Sequence, residues 1–265
     1  MDFVKAFLLA VLEGITEFLP VSSTGHLILL EQYLRFDARP EFTATFVVVI
    51  QLPAILSVVL YFWRDLWPFE RNFAQRREVV RLWMLTAIAF APAALLGFLL
   101  DDFIEAKLFN SVVVALALIV GGVLLIVLER RRHAEHYATV HDLRWPVAFA
   151  IGCFQCLAMI PGTSRSASTI IGGLLLGASR TAAAEFSFFL AIPTMLGATS
   201  LKLLKHGVNF SGQEWMLLLL GSVVSFITAY AVIAFLMRFI QRHTFTVFGY
   251  SRIVLGVIVL LLMLP

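Results

Sequence analysis

Glu13 and Glu17 stand four residues apart in a largely apolar stretch, so a helix would project both carboxylates from one face about a turn apart. Pro20 follows, and then the hydroxyl residues Ser22, Ser23 and Thr24 and the imidazole of His26. A second polar run, Pro161-Gly162-Thr163-Ser164-Arg165-Ser166-Ala167-Ser168-Thr169, carries one arginine among hydroxyl side chains. Proline and Pro-Gly stop helices, and Ser and Thr immediately beyond them are types that cap a new one. Each run is therefore predicted to present a fresh helix N-terminus, whose free N–H groups and positive dipole end suit an anion. Two such termini surround one polyanion, with Ser22 and Ser23 at one and Ser164 and Ser166 at the other, and Arg165 adds a planar fork for bidentate phosphate contact. Two carboxylates beside a phosphate repel it unless they are protonated or share a divalent cation, and an all-oxygen ligand set favours Mg²⁺ or Ca²⁺. Glu13 and Glu17 are the candidate ligands. His26, three residues after Ser23, can serve as nucleophile, as general acid for the leaving oxygen, or as base for Ser23.

These residues are held in a bilayer. Of the 265 residues 60% are hydrophobic and 14% charged, far from the composition of soluble domains. Uncharged stretches at Phe42 to Trp63, Leu82 to Leu100, Leu108 to Leu128 and Trp215 to Met237 each approach the ~20 residues that cross a hydrocarbon core. Phe186 to Leu201 and Thr244 to Pro265 are read as two further spans, with Arg252 snorkelling from near the start of the last. An ionised residue at the bilayer centre costs about 2.5–3.5 kcal/mol on insertion scales, so Glu13, Glu17 and Arg165 call for a purpose. Glu13 and Glu17 also interrupt the first apolar stretch, which argues against a cleaved signal peptide and for a retained N-terminus. Cys153 and Cys156 form a CxxC without a second pair or a soluble redox context, and read as small packed residues. His133, His136 and His141 fall in a basic loop with no carboxylate or Cys framework and read as solvated.

The chain is also read as an internal duplication. Leu19-Pro20-Val21-Ser22-Ser23 aligns with Ile160-Pro161-Gly162-Thr163-Ser164 at an offset of 141, and Phe46 to Pro53 matches Phe186 to Pro193 at 140. Trp83-Met84-Leu85 echoes Trp215-Met216-Leu217 at 132, with loop lengths drifting between. The predicted fold is an all-α polytopic membrane protein with an inverted-topology repeat. Residues 1–140 hold a re-entrant broken helix pair (3–30) and three spans, and residues 141–265 hold another (145–178) and three more, integrated in a single domain. Five Arg between Arg64 and Arg81 and four between Arg130 and Arg144 place those segments on the cytoplasmic side, with Asp101, Asp102 and Glu105 outside. Both termini are then extracytoplasmic.

Glu13-Gly14-Ile15-Thr16-Glu17-Phe18-Leu19-Pro20-Val21-Ser22-Ser23-Thr24-Gly25-His26 and Pro161-Gly162-Thr163-Ser164-Arg165-Ser166 resemble, without a gap, the two signature motifs of the bacterial undecaprenyl pyrophosphate phosphatases, the bacitracin-resistance family. The resemblance implies hydrolysis of undecaprenyl pyrophosphate to the monophosphate carrier of cell-wall synthesis, in the bacterial plasma membrane, at a site facing the extracytoplasmic side. It also implies metal and substrate roles for Glu13 and Glu17, phosphate contacts for Arg165, Ser164, Ser166 and Thr169, and the chemistry for Ser23 or His26, with direct attack by water left open. The expected partners are the polyprenyl pyrophosphate and bilayer lipid, with no nucleic acid and with a homodimer left open. A transporter or flippase of a phosphorylated lipid is the rival reading, because inverted repeats with broken helices also build secondary transporters. The carboxylates, imidazole and hydroxyls gathered around one arginine favour the enzyme, since transport alone has no use for a poised acid or base.

Overall fold

Prolines write the helix ends that matter most. The first helix, α1 (Asp2–Thr16), stops where it does because Pro20 has no amide hydrogen and its ring would meet the carbonyl four residues back, that of Thr16. After a tight turn, α2 (Ser23–Leu34) starts beyond Ser22, whose hydroxyl accepts from the Gly25 amide at 3.4 Å. There follow α3 (Pro40–Tyr61), the single turn α4 (Trp63–Leu66), α5 (Phe73–Leu108), and α6 (Ser111–Arg130), which is capped by Asn110 accepting from Val113 N at 3.0 Å. The second break repeats the first. Helix α7 (Trp145–Gln155) gives way to a 3₁₀ turn, Cys156–Met159, ahead of Pro161, and α8 (Arg165–Leu175) starts at Ser164, whose hydroxyl accepts from Ala167 N at 3.3 Å. Three helices complete the chain: α9 (Arg180–His206), α10 (Gly212–Phe239) and α11 (Thr246–Met263).

The structure is a computed structural model and describes residues 1–36, 40–67, 73–131, 135–206 and 210–263. Arg71, Arg132 and His133 of the basic loops lie outside the described residues, as do the side chains of Asp101, Asp102 and Glu105.

Among the described residues five helices are long and apolar enough to cross a membrane: Phe42–Tyr61, Gln75–Leu100, Ser111–Arg130, Arg180–Leu201 and Gly212–Phe239. The protein is a multi-pass helical membrane protein. Two boundaries differ from the sequence reading. Helix α5 absorbs both flanks of its apolar run into 36 residues, a length of ~54 Å that exceeds the ~30 Å hydrocarbon core, because nothing in the charged flanks breaks a helix. The expected sixth span is a shorter apolar helix, Thr246–Leu262, and its Arg252 does not snorkel. That side chain is fully buried, with its guanidinium bonded to backbone carbonyls inside the protein.

Packing brings the broken pairs to the middle of the contact network. Helix α1 lies against α10, and α7 lies against α5; α3 packs on α9 and α10, and α6 on α11. Two glycines permit the crossings. A Cβ on Gly14 would come within 2.7 Å of Thr228 Cβ, and one on Gly152 would run into the Ala89 carbonyl. Close backbone approach at small residues is how helices associate where lipid competes with every apolar contact. Forcing a side chain into a packed interface typically costs about 1–3 kcal/mol, and here the obstacle is rigid backbone, so the cost should sit at or above that range. Gly152→Leu should therefore give no monodisperse protein by size-exclusion chromatography, whereas Gly212→Ala, with nothing within 4 Å of its Cβ, should purify like the parent. Normal yield and melting for Gly152→Leu would show that α7 and α5 are not pinned there. Phe18, immediately after α1, stacks edge-on against Phe188 of α9 at 5.6 Å and carries the first break into the main core.

Candidate active site

The two breaks meet. Arg165, the first residue of α8, points its Nη2 at Glu17 Oε1 across 3.2 Å, and the Ser166 hydroxyl donates to the Leu19 carbonyl at 2.9 Å. Glu17 is also the acceptor for Ser23, whose Oγ lies 3.2 Å from Glu17 Oε2. One carboxylate thus joins the first residue of α2 to the first residue of α8. Both turns carry the same unusual backbone: Ser22 has φ 72° and Ser164 φ 71°, a left-handed conformation that non-glycine residues rarely hold without support. By conformation Ser22 pairs with Ser164, one register away from the Ser23–Ser164 pairing that residue types suggest. Ser23 and Arg165 then occupy matching positions at the starts of α2 and α8.

Arg165 is held from behind. Its Nη1 donates to the Ser187 carbonyl at 2.8 Å and lies 3.3 Å from Ser187 Oγ, while Nη2 reaches Met195 Sδ at 3.7 Å and the guanidinium stands 5.9 Å from the Phe18 ring centre. Its Nε is buried and has no hydrogen-bond partner. Thr169 is fully buried with its Oγ1 2.7 Å from Ser187 Oγ, and it backs the serine that holds the arginine. Ser164 and Ser166 face each other with their oxygens 3.1 Å apart.

Glu13 is fully buried on α1. Gln51 of α3 donates to its Oε1 at 2.9 Å, and its Oε2 has no hydrogen-bond partner. His26 reaches the site only through the backbone of Ser22. Its Nδ1 is 2.8 Å from the Ser22 carbonyl, which can only accept, so Nδ1 donates to it and Nε2 is the ring nitrogen left for other partners. His26 lines neither of the cavities that Glu17 and Arg165 share.

Those cavities differ in character. A polar one of about 160 Å³ is bounded by Glu17, Ser22, Ser23, Gly162, Ser164 and Arg165, among others. An apolar one of about 490 Å³ lies between α5 and α9, against Phe90, Ala94, Phe98, Met195 and Ala198, and shares Glu17, Gln51, Ala158 and Arg165 with the first. Of the sequence-derived candidates, Glu17, Ser22, Ser23, Ser164 and Arg165 line the polar cavity. Glu13, Ser166 and Thr169 lie behind it.

Several contributors escaped the sequence reading. Gln51, a lone amide two residues before Pro53 in an apolar span, was visible as an intramembrane polar residue that needs a partner. Gln155 and Thr194, 3.3 Å apart on the wall of the larger cavity, and Ser187 behind Arg165 gave no comparable signal. A buried Ser in a membrane helix ordinarily just mediates packing.

For a divalent cation, the unpartnered Glu13 Oε2 beside the amide of Gln51 and the carboxylate of Glu17 is a fitting oxygen set. Among the described residues no three His, Cys, Asp or Glu side chains gather, so phosphate oxygens and water would complete the shell, as is usual for Mg²⁺.

Fold and site together define a multi-pass helical membrane protein with a polar cavity built where two broken helix pairs meet. A family model, the bacitracin resistance protein BacA, matches residues 6–258, and this chain belongs to that family. It is 52% identical over 262 residues to undecaprenyl-diphosphatase 1 of Clostridioides difficile (strain 630), covering 98% of this chain and 96% of that one. It is 47% identical over 268 residues to the undecaprenyl-diphosphatase of Enterococcus faecalis (99% and 97% covered). The undecaprenyl-diphosphatase of Desulfitobacterium hafniense (strain DSM 10664 / DCB-2) is 48% identical over 266 residues (98% and 96% covered).

Proposed function

We propose that this chain hydrolyses undecaprenyl pyrophosphate to undecaprenyl phosphate and inorganic phosphate, recycling the lipid carrier of cell-wall synthesis and conferring bacitracin resistance. The observation that carries the reading is the Ser23–Glu17–Arg165 chain, contacts of 3.2 Å and 3.2 Å spanning both breaks at the junction of a polar and an apolar cavity. A pyrophosphate headgroup with an apolar tail has the same two-part character. The terminal phosphate occupies the polar cavity against the Arg165 fork and the start of α8, and the first prenyl units lie between α5 and α9. Glu17 is placed to take the proton of Ser23 Oγ as that oxygen attacks the terminal phosphorus and the phosphoanhydride bond breaks, releasing the lipid monophosphate. Water then hydrolyses the phosphoserine. His26, through Nε2, is the runner-up for the attacking or proton-transferring role. Glu13 and Gln51, beside Glu17, would hold a divalent cation, Mg²⁺ or Ca²⁺, which would neutralise phosphate charge when bound, while Glu17 serves as the base.

The protein is read as residing in the bacterial plasma membrane with the polar cavity open to the extracytoplasmic side. The repeat layout, 1–140 and 141–265, belongs to the same reading. It is supported by the paired φ values of Ser22 and Ser164 and by contacts that swap between halves, α1 with α10 as α7 with α5. In a background without Cys153 and Cys156, cysteines at Arg77 and Arg131 should resist an impermeant thiol reagent in intact cells, and one at Lys107 should be labelled. The opposite pattern would overturn this topology.

The deciding experiment is phosphate release from undecaprenyl pyrophosphate by the purified full chain, with and without chelator. Chelator-sensitive release is expected. Folded protein that moves the lipid between leaflets without releasing phosphate would replace the phosphatase by the transporter.

A further inference from the structure

Among the described residues Arg252 is the largest fully buried side chain, and no carboxylate accompanies it there. A desolvated cation without a counter-ion is costly, so its partners have to supply what water would. They are all backbone carbonyls. Nη1 lies 3.5 Å from the Pro20 oxygen, and Nη2 lies 3.2 Å from the Gly162 oxygen and 3.1 Å from that of Ala117 on α6. Pro20 stands two residues before Ser22, and Gly162 stands two residues before Ser164. One guanidinium therefore grips the same carbonyl in each of the two breaks, immediately ahead of the two left-handed serines. Such backbone conformations are strained and persist only where their surroundings hold them. The opposite wall makes room for the grip: a Cβ on Gly121 of α6 would collide with Arg252 Nη2.

We propose that Arg252 is a positioning residue for the reaction, clamping the two breaks to each other so that Ser23 and Arg165, the first residues of α2 and α8, face one phosphate at a fixed separation. The inference rests on the phosphatase reading above. It concerns a residue that touches neither cavity. The planar fork is what the role requires, since two carbonyls from different segments must be held at once by donors of fixed geometry, which an ammonium does not provide.

The test compares Arg252→Met and Arg252→Lys with the parent for phosphate release from undecaprenyl pyrophosphate, each also in an Arg165→Lys background. Displacements of about 1 Å at a reacting centre cost on the order of 10²-fold, so kcat should fall by about that factor in Arg252→Met and less in Arg252→Lys. KM should stay within about threefold, because the lipid tail binds elsewhere. In the Arg165→Lys background, where the fork is already lost, the further fall should be much smaller. Should Arg252→Met fail to fold, Arg252→Lys carries the same comparison. A kcat within threefold of the parent, or losses that simply multiply with those of Arg165→Lys, would overturn the clamp and leave the phosphatase reading standing. Absence of release by the folded parent would instead overturn that reading.

Discussion

Arg165→Lys is expected to lower phosphate release by roughly 10²–10³-fold, the range seen when one preorganised donor to a developing charge is removed. The substitution keeps the charge and loses the geometry. Arg165 is anchored through Nη1 to the Ser187 carbonyl at 2.8 Å and through Nη2 to Glu17 at 3.2 Å, and its buried Nε has no hydrogen-bond partner. A lysine ammonium can replace one of those contacts at a time and cannot present two parallel N–H groups to a phosphate. The loss should fall mainly on kcat, with Ser187→Ala giving a milder version because the arginine keeps the carbonyl anchor. Measuring kcat and KM for both variants checks this, and near-parental turnover by Arg165→Lys would rule out bidentate phosphate contact.

The second large effect separates Glu13 from Glu17. Spacing alone treats them as one pair, whereas the structure gives them different surroundings. Glu17 accepts from Ser23 and pairs with Arg165, a position suited to proton transfer. Glu13 is buried on Gln51 with one oxygen free, a position suited to a cation. Glu17→Gln should cost 10²–10⁴-fold in kcat at saturating metal, about the range for losing a general base, with no recovery as metal is raised. Glu13→Gln should instead raise the Mg²⁺ or Ca²⁺ concentration for half-maximal activity and regain rate at high metal, because one charged ligand has gone. Rate against metal concentration for both variants decides it. Unchanged half-saturation for Glu13→Gln with a collapsed plateau would remove the metal from Glu13, and full metal rescue of Glu17→Gln would make Glu17 the ligand.

Much of this was legible in the residues. Apolar runs near the bilayer thickness marked the long helices, since a segment in lipid has to satisfy its own backbone. Pro20 and Pro161 marked the two breaks and the serines after them marked the new helix starts, because proline chemistry and capping act within a turn or two of the chain. Glu17, Ser23 and Arg165 were found by the same local logic, as costly groups at positions where a helix begins. Contacts between distant segments lay beyond it. Ser187 supports Arg165 from 22 residues away, and Gln51 reaches Glu13 across 38, through pairings that neither periodicity nor composition encodes.

Arg252 shows the division most plainly. From its sequence neighbours it is a cation near the end of an apolar segment, and the cheapest outcome for such a side chain is to reach for the interface. Only the packed structure brings the Pro20, Ala117 and Gly162 carbonyls around it, from residues 232, 135 and 90 positions away, and a glycine at 121 to leave it space. The sequence by itself determined a membrane protein with two capped breaks and the groups for phosphate chemistry, because those depend on burial of apolar runs and on hydrogen bonding over a few residues. The tertiary structure decided which carboxylate meets Ser23 and Arg165, where the apolar cavity lies, and that a buried guanidinium joins the breaks, because each of these is a sum of contacts between segments that the chain brings together only when the helices cross.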